Sequence, residues 1–118
     1  MAILLVTVSF ASAQNDKYER TIERNSGIKT QTIKVYGACS MDKHRIEKAA
    51  NSVDGVKSAI WDEDTQLLTL KYSVFKKDAA DNVQKKIASV GNDTEKYKAD
   101  DAVYQKLPDC CHYQRKQS

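Results

Sequence analysis

The chain has little of what disordered or collagen-like proteins contain, since only one of its 118 residues is proline and four are glycine. Charged residues make up 30% of it, which together with the scarce proline and glycine is typical of a small fold rich in helices and strands. A strong excess of one charge is also missing, because 19 basic residues face 16 acidic ones. Nucleic acid is therefore not an expected partner.

A recognisable catalytic constellation is missing as well. The chain has two histidines, and we find no nucleophile-elbow glycine pattern, no phosphate-binding loop and no paired-carboxylate signal. We therefore expect a binding protein and not an enzyme. The three cysteines are an odd number, so pairing two of them would leave one thiol over. A purely structural disulfide framework is not expected.

No apolar run is long enough to cross a membrane, because a spanning helix needs about 20 apolar residues. The apolar run at residues 2–10 is followed by Ala-Ser-Ala at 11–13, the A-x-A pattern that precedes signal-peptide cleavage. We predict a signal peptide over residues 1–13, export to the periplasm or the medium, and no membrane insertion after its removal. The alternative is a buried N-terminal strand.

The apolar periodicity predicts the order β-α-β-β-α-β for residues 31–98, after a linker at 14–30. Alternation typical of strands occurs in QTIKVYG, VKSAIW and QLLTLKY, and helical spacing follows the first and third of these. A short strand at 94–98 would complete an α+β ferredoxin-like fold, with two helices on one face of a four-stranded antiparallel sheet. The predicted core contains Ile33, Val35, Ile46, Val53, Leu68, Leu70, Val83 and Ile87.

The last part, residues 99–118, is predicted to form a short helix and a tail with an unusual ending, DCCHY. Terminal segments usually fray, but two adjacent cysteines and a histidine argue for a role.

Residues 31–98 resemble a heavy-metal-associated domain, a family that includes periplasmic mercury-binding proteins, copper chaperones and the N-terminal modules of metal-transporting ATPases. The family carries a C-x-x-C motif between its first strand and first helix. In GACSMD, Cys39 stands at the first position and Asp42 at the second, so the ligand pair carries over at one residue only. The exported start and the LPDCCHY tail are similar to small secreted bacterial members. The resemblance implies soft-metal binding, with a metal-transport ATPase or efflux protein as partner.

The chemistry of Cys39 suits such a site, because Cu(I), Hg(II) and Zn(II) favour thiolates and the start of a helix favours a negative charge. Asp42 has two interpretations. A carboxylate is tolerable to Zn(II) but a poor ligand for Cu(I) or Hg(II), whereas an acidic residue in the first turn of a helix is stabilised by the helix dipole. Because a hard carboxylate does not match soft cations, we predict that Asp42→Cys restores the family's ligand pair and tightens soft-metal binding, while Asp42→Asn leaves it nearly unchanged.

The missing ligands are predicted to come from the tail. The fourth strand would leave the sheet about 15–20 Å from Cys39, and residues 99–109 reach about 22 Å. Cys110 and Cys111 would then meet Cys39, with His112 nearby. The alternatives are a disulfide between Cys39 and a tail cysteine and, for His112, an ordinary surface position. His44 lies on a basic helix face that is either solvated or docks an acidic partner.

The sequence thus predicts an exported protein that sequesters or delivers a soft metal ion through Cys39, Cys110, Cys111 and His112. Cu(I) is the preferred ion, with Zn(II) and Hg(II) as alternatives. The competing interpretation is a metal-free interaction or regulatory module with the same fold and a disulfide.

Overall fold

The computed structural model describes residues 27–117. Three strands, β1 (Ile28–Lys34), β2 (Val56–Asp62) and β3 (Leu67–Ser73), form an antiparallel sheet in the order β1-β3-β2. The predicted signal peptide at 1–13 and most of the predicted linker lie outside the described residues. The end of that linker is part of the sheet, because β1 begins at Ile28.

The helices follow the predicted order. α1 (Ser40–Asn51) lies between β1 and β2, and α2 (Ala79–Ser89) follows β3. A short helix α3 (Asp101–Gln105) and a 3-10 turn (Asp109–Cys111) follow α2. Within residues 27–117, no helix combines the length and apolarity that crossing a membrane requires.

The core lies between one face of the sheet and the two long helices. Seven of the eight predicted core residues are fully buried, and Val53 packs against them partly buried. Buried and exposed residues alternate along β3, so the helices cover one face of the sheet. This α+β arrangement is consistent with the predicted ferredoxin-like fold.

The predicted fourth strand at 94–98 is not formed, and its place is taken by an isolated bridge between Val35 and Thr94. The backbone N–H of Lys34 donates to the side chain of Glu95 at 2.7 Å, so a carboxylate replaces the carbonyl of a strand. The chain then forms a turn between Thr94 and Tyr97. Oγ1 of Thr94 accepts the N–H of Tyr97 at 3.0 Å, and the N–H of Thr94 donates to the carbonyl of Tyr97 at 2.7 Å. This turn prevents the ladder from continuing.

The fold fixes the loop between β1 and α1 through Trp61. This residue is fully buried, and its Nε1 donates to the carbonyl of Val35 at 2.9 Å. A Cβ on Gly37 would lie 2.8 Å from the indole, so only glycine fits there without a shift. Gln66 holds Gly37 from the other side, accepting its N–H at 3.0 Å and donating to its carbonyl at 2.9 Å. The loop that carries Cys39 is therefore firmly positioned.

Candidate metal centre

Cys39 lies at the N-cap position of α1 in extended backbone geometry, and its carbonyl accepts the N–H of Lys43 at 3.0 Å. Burial raises the pKa of its thiol, but the backbone N–H groups of Asp42 and Met41 outweigh this and hold the pKa below its usual value. The start of the helix thus stabilises the thiolate, which is the form that binds metals.

The tail brings two further thiols to this place. In the 3-10 turn, the N–H of Cys111 donates to the carbonyl of Pro108 at 2.8 Å, and that of His112 to the carbonyl of Asp109 at 3.2 Å. The turn leaves Cys110 exposed and buries Cys111.

The tail is held by hydrogen bonds of Tyr113 and Arg115 with Gly91 and Asp93, which we call the tail anchor. The Tyr113 hydroxyl donates to the carbonyl of Gly91 at 2.6 Å and accepts the N–H of Asp93 at 2.8 Å. Arg115 donates to both carboxylate oxygens of Asp93 at 2.8 Å. The anchor follows the cysteines directly in sequence, so it restricts where they can lie.

The three sulfur atoms form what we call the thiol cluster. The Sγ of Cys111 lies 3.8 Å from that of Cys39 and 3.9 Å from that of Cys110, and all three lie within 4.8 Å of one another. Thiolates on one zinc-sized ion, each about 2.3 Å from it, would lie about 4 Å apart. The predicted proximity of the three thiols is confirmed, whereas their role as ligands stays a prediction.

Arg45 links the thiol cluster to α1. Its Nη2 lies 3.4 Å from the Sγ of Cys111, and its Nη1 donates to Asp42 at 2.6 Å. Burial raises the pKa of Cys111 to about 11, although the hydrogen bond from Arg45 acts in the opposite direction. The pKa values of the two thiols are thus shifted in opposite directions, downward at Cys39 and upward at Cys111.

Asp42 is fully buried and belongs to the protein framework. Its Oδ2 accepts the N–H of Ala38 at 2.7 Å, and its Oδ1 accepts Arg45 at 2.6 Å and the Nδ2 of Asn92 at 3.1 Å. Both carboxylate oxygens are occupied by protein donors. These contacts favour the structural interpretation of Asp42 over a ligand role.

His112 lies outside the thiol cluster, although it was predicted as a ligand. Its ring stacks on Tyr104 with 4.8 Å between centroids, and its Nε2 is buried without a hydrogen-bond partner among the described residues. The stacking keeps the ring with the tail instead of with the sulfurs.

The basic face of α1 is smaller than the sequence indicates. Lys43 donates to Glu47 and to the carbonyl of Trp61, both at 2.7 Å, and Arg45 binds Asp42. His44 and Lys48 are exposed. They border an open groove of about 400 Å³ beside the thiol cluster, which is lined by Ser40, Met41, His44, Arg45 and Lys48.

Sequence reasoning missed two residues that contact the thiol cluster, Arg45 and Met41. The Sδ of Met41 lies 3.4 Å from the Sγ of Cys110. A usable signal existed, because Met41 is two residues from Cys39 and Arg45 is one helical turn from Asp42. Their contacts with the tail depend on its path, which no local pattern indicates.

The chain was also compared with known proteins. Neither a protein-family profile nor a curated protein matches the chain. Among solved structures, it is similar to a "CopZ metallochaperone", with a TM-score of 0.51 and 27% identity over 56% of this chain and 98% of that chain. This likeness supports a heavy-metal-associated-like domain, and the cluster of Cys39, Cys110 and Cys111 suggests that it binds metal.

Proposed function

We propose that the protein binds one soft metal ion through the thiolates of Cys39, Cys110 and Cys111 and either sequesters it or passes it on. The observation that carries this proposal is the thiol cluster, in which three free thiols from two distant parts of the chain lie within 4.8 Å of one another. Two of them come from a tail that the anchor holds in place. The ligand set omits His112, because its ring is stacked on Tyr104.

Cu(I) is the preferred ion, since it is content with two or three thiolates, and Zn(II) and Hg(II) are the alternatives. Cys110 is exposed and Cys39 half-buried, so an incoming or receiving thiolate can reach the metal. Stepwise replacement of one thiolate by another is how a carrier releases a tightly bound ion.

The cellular setting is part of the proposal. The A-x-A pattern at residues 11–13 supports export to the periplasm or the medium. The likeness to a metallochaperone supports transfer of the ion to a partner, for which we propose a metal-transport ATPase or an efflux protein. We further propose that the protein acts by binding and not as an enzyme.

The second candidate function is a metal-free interaction module. It is favoured by the 3.8 Å between the sulfurs of Cys39 and Cys111, which a small movement would bring to the roughly 2.05 Å of a disulfide in an oxidising compartment. Cys110 would then be the one free thiol.

Thiol counting combined with a Cu(I) competition titration under anaerobic conditions separates the two candidates. We expect three free thiols that become unreactive when one equivalent of Cu(I) is added. Cys39→Ser and Cys111→Ser should each weaken Cu(I) binding by more than about tenfold. One free thiol in the protein as purified, without Cu(I) uptake after reduction, would refute metal binding and favour the disulfide module.

A further inference from the structure

Met41 places a fourth sulfur next to the thiol cluster. It is the second residue of α1, and its Sδ lies 3.4 Å from the Sγ of Cys110. The residue is 48% exposed although methionine is apolar, so about half of it is left open to solvent. An exposed thioether in contact with one thiol of the cluster calls for a chemical explanation.

We propose that Met41 is a thioether ligand of the same centre and that it favours Cu(I) over Zn(II). The inference rests on the proposed function, because it requires that the thiolates of the cluster hold a metal. It adds a ligand that a cysteine pattern cannot indicate.

The geometry gives the four sulfurs one continuous arrangement. Successive separations are 3.8 Å from Cys39 to Cys111, 3.9 Å from Cys111 to Cys110 and 3.4 Å from Cys110 to Met41. These values are close to the roughly 4 Å expected for sulfurs that share one ion. The methionine side chain has three rotatable bonds, so Sδ can adjust its position without disturbing the backbone of α1.

The chemistry of a thioether makes this ligand selective. Protein zinc sites are built from cysteine, histidine and carboxylates, whereas soft sulfur donors suit Cu(I). A thioether is also neutral, so it adds a donor atom without adding charge. Three thiolates around Cu(I) already leave two net negative charges, and the charge of Arg45 beside Cys111 is balanced by that of Asp42.

The test compares Met41→Leu with the unchanged protein in competition titrations with Cu(I) and with Zn(II). Leucine keeps the volume and apolar character but removes the sulfur. We expect Cu(I) affinity to fall about tenfold and Zn(II) affinity to stay within about twofold. The matched control is Ile60→Leu, an exposed apolar residue on the opposite face of the sheet, which should change neither affinity.

A second readout follows the thioether directly. In protein labelled with ¹³C in the methionine methyl groups, the signal that is lost in Met41→Leu is that of Met41. One equivalent of Cu(I) should shift this signal, and one equivalent of Zn(II) should leave it close to its original position.

The outcomes separate the two proposals. If the unchanged protein takes up no Cu(I), the proposed function fails and the inference fails with it. If it takes up one Cu(I) but Met41→Leu binds equally well and the methyl signal stays in place, only the inference fails. An equal loss of Cu(I) and Zn(II) affinity in Met41→Leu would also overturn it, because it would indicate a packing role.

Discussion

Residues 27–117 contain two buried aspartate–arginine pairs that are alike in composition and differ in use. Asp42 pairs with Arg45 at the thiol cluster, and Asp93 pairs with Arg115 at the tail anchor. Both carboxylates are fully buried, and the two arginine side chains are 20% and 19% exposed. The difference therefore lies in what each arginine contacts besides its partner.

At the tail anchor, backbone groups make the remaining hydrogen bonds of the pair. Arg115 donates to both oxygens of Asp93 and, at 2.6 Å, to the carbonyl of Ala99. The same carboxylate accepts the N–H groups of Ala99 at 2.8 Å and Lys116 at 3.0 Å. Nearly every donor and acceptor of this pair joins one chain segment to another, so its role is to hold the tail.

At the thiol cluster, one nitrogen of the arginine contacts a thiol and not the backbone. Arg45 gives one nitrogen to Asp42 and the other to the sulfur of Cys111. Asp42 orients the guanidinium, and the guanidinium presents its charge to the site. The same kind of pair therefore stabilises the fold when backbone groups complete its contacts, and serves a site when a thiol takes one of them.

The largest expected effect is that of Asp93→Ala on stability. The change leaves Arg115 buried without its carboxylate and removes the acceptor for two backbone N–H groups. Removal of one partner of a buried pair costs about 3 kcal/mol of unfolding free energy. Urea unfolding measures the loss, and Cu(I) affinity should fall with it because the tail that carries Cys110 and Cys111 is released.

The control uses the other carboxylate on the same arginine. Asp101 lies 3.0 Å from Nη1 of Arg115 but is 86% exposed, so Asp101→Ala should cost less than about 0.5 kcal/mol. Similar losses in the two variants would show that burial does not distinguish these contacts.

The next effect in size is that of Asp42→Cys, for which the sequence predicts a change in metal affinity and the structure a change in stability. The sequence resemblance predicts tighter metal binding, because the family's ligand pair returns. The structure predicts a loss of about 2 kcal/mol of stability, because Ala38, Arg45 and Asn92 lose a charged acceptor. Urea unfolding and Cu(I) titration of the same sample measure both quantities.

Asp42→Asn is the matched control, since it keeps the shape and one acceptor oxygen. It should lose about half as much stability as the cysteine variant. A cysteine variant that binds Cu(I) more tightly at unchanged stability would contradict the structural role of Asp42.

Most of the domain was predictable because its signals are local. The alternation of Ile33 and Val35 and the helical spacing from Ile46 each indicate a buried face within a few residues of sequence. Cys39 was predictable for the same reason, since it lies between a strand pattern and a helix pattern.

The fourth strand was mispredicted because its pairing with β1 stops after the single bridge between Val35 and Thr94. Glu95 occupies the N–H of Lys34 with its side chain, and Thr94 closes a turn with Tyr97. Both contacts depend on specific side chains, and a pattern that only classes residues as apolar or polar does not indicate them.

The thiol cluster was predictable from reach alone, but its surroundings were not. Chain length shows that Cys110 and Cys111 can return to Cys39, yet it does not show what holds them there. The contacts of Arg115 with Asp93 and of Arg45 with Cys111 join residues 22 and 66 positions apart. Contacts at such separations follow from the folded path of the tail.

The third prediction uses acid to open the tail anchor. Burial raises the pKa of Asp93, but Arg115 and the N–H groups of Lys116 and Ala99 outweigh it and hold the pKa below its usual 3.8. The pair therefore contributes its full stability above about pH 5 and loses it as the pH falls through the lowered pKa.

Urea unfolding at pH 3 and pH 6 measures this loss. In Asp93→Asn, which cannot titrate, the difference between the two pH values should be smaller than in the unchanged protein. An equal difference would assign the acid sensitivity to other carboxylates, such as that of Asp81, whose pKa is lowered to about 2 by Lys96 and Tyr97.

The smallest expected effect is that of Arg45→Lys, which tests whether the Asp42–Arg45 pair acts on the thiol cluster or only on stability. Lysine keeps a positive charge near Asp42 but lacks the planar fork that reaches two acceptors at once. The lysine should keep its contact with the carboxylate and lose that with Cys111, so stability should fall by less than about 1 kcal/mol and Cu(I) affinity by roughly two- to fivefold.

The matching change is Arg115→Lys, in which the larger effect should be on stability. The two-point contact with Asp93 is broken, and Cu(I) affinity should fall only as far as the stability loss releases the tail. Unfolding and Cu(I) competition on both variants decide the matter. If Arg45→Lys lowers stability as much as Arg115→Lys and leaves Cu(I) affinity unchanged, the first pair is as purely structural as the second.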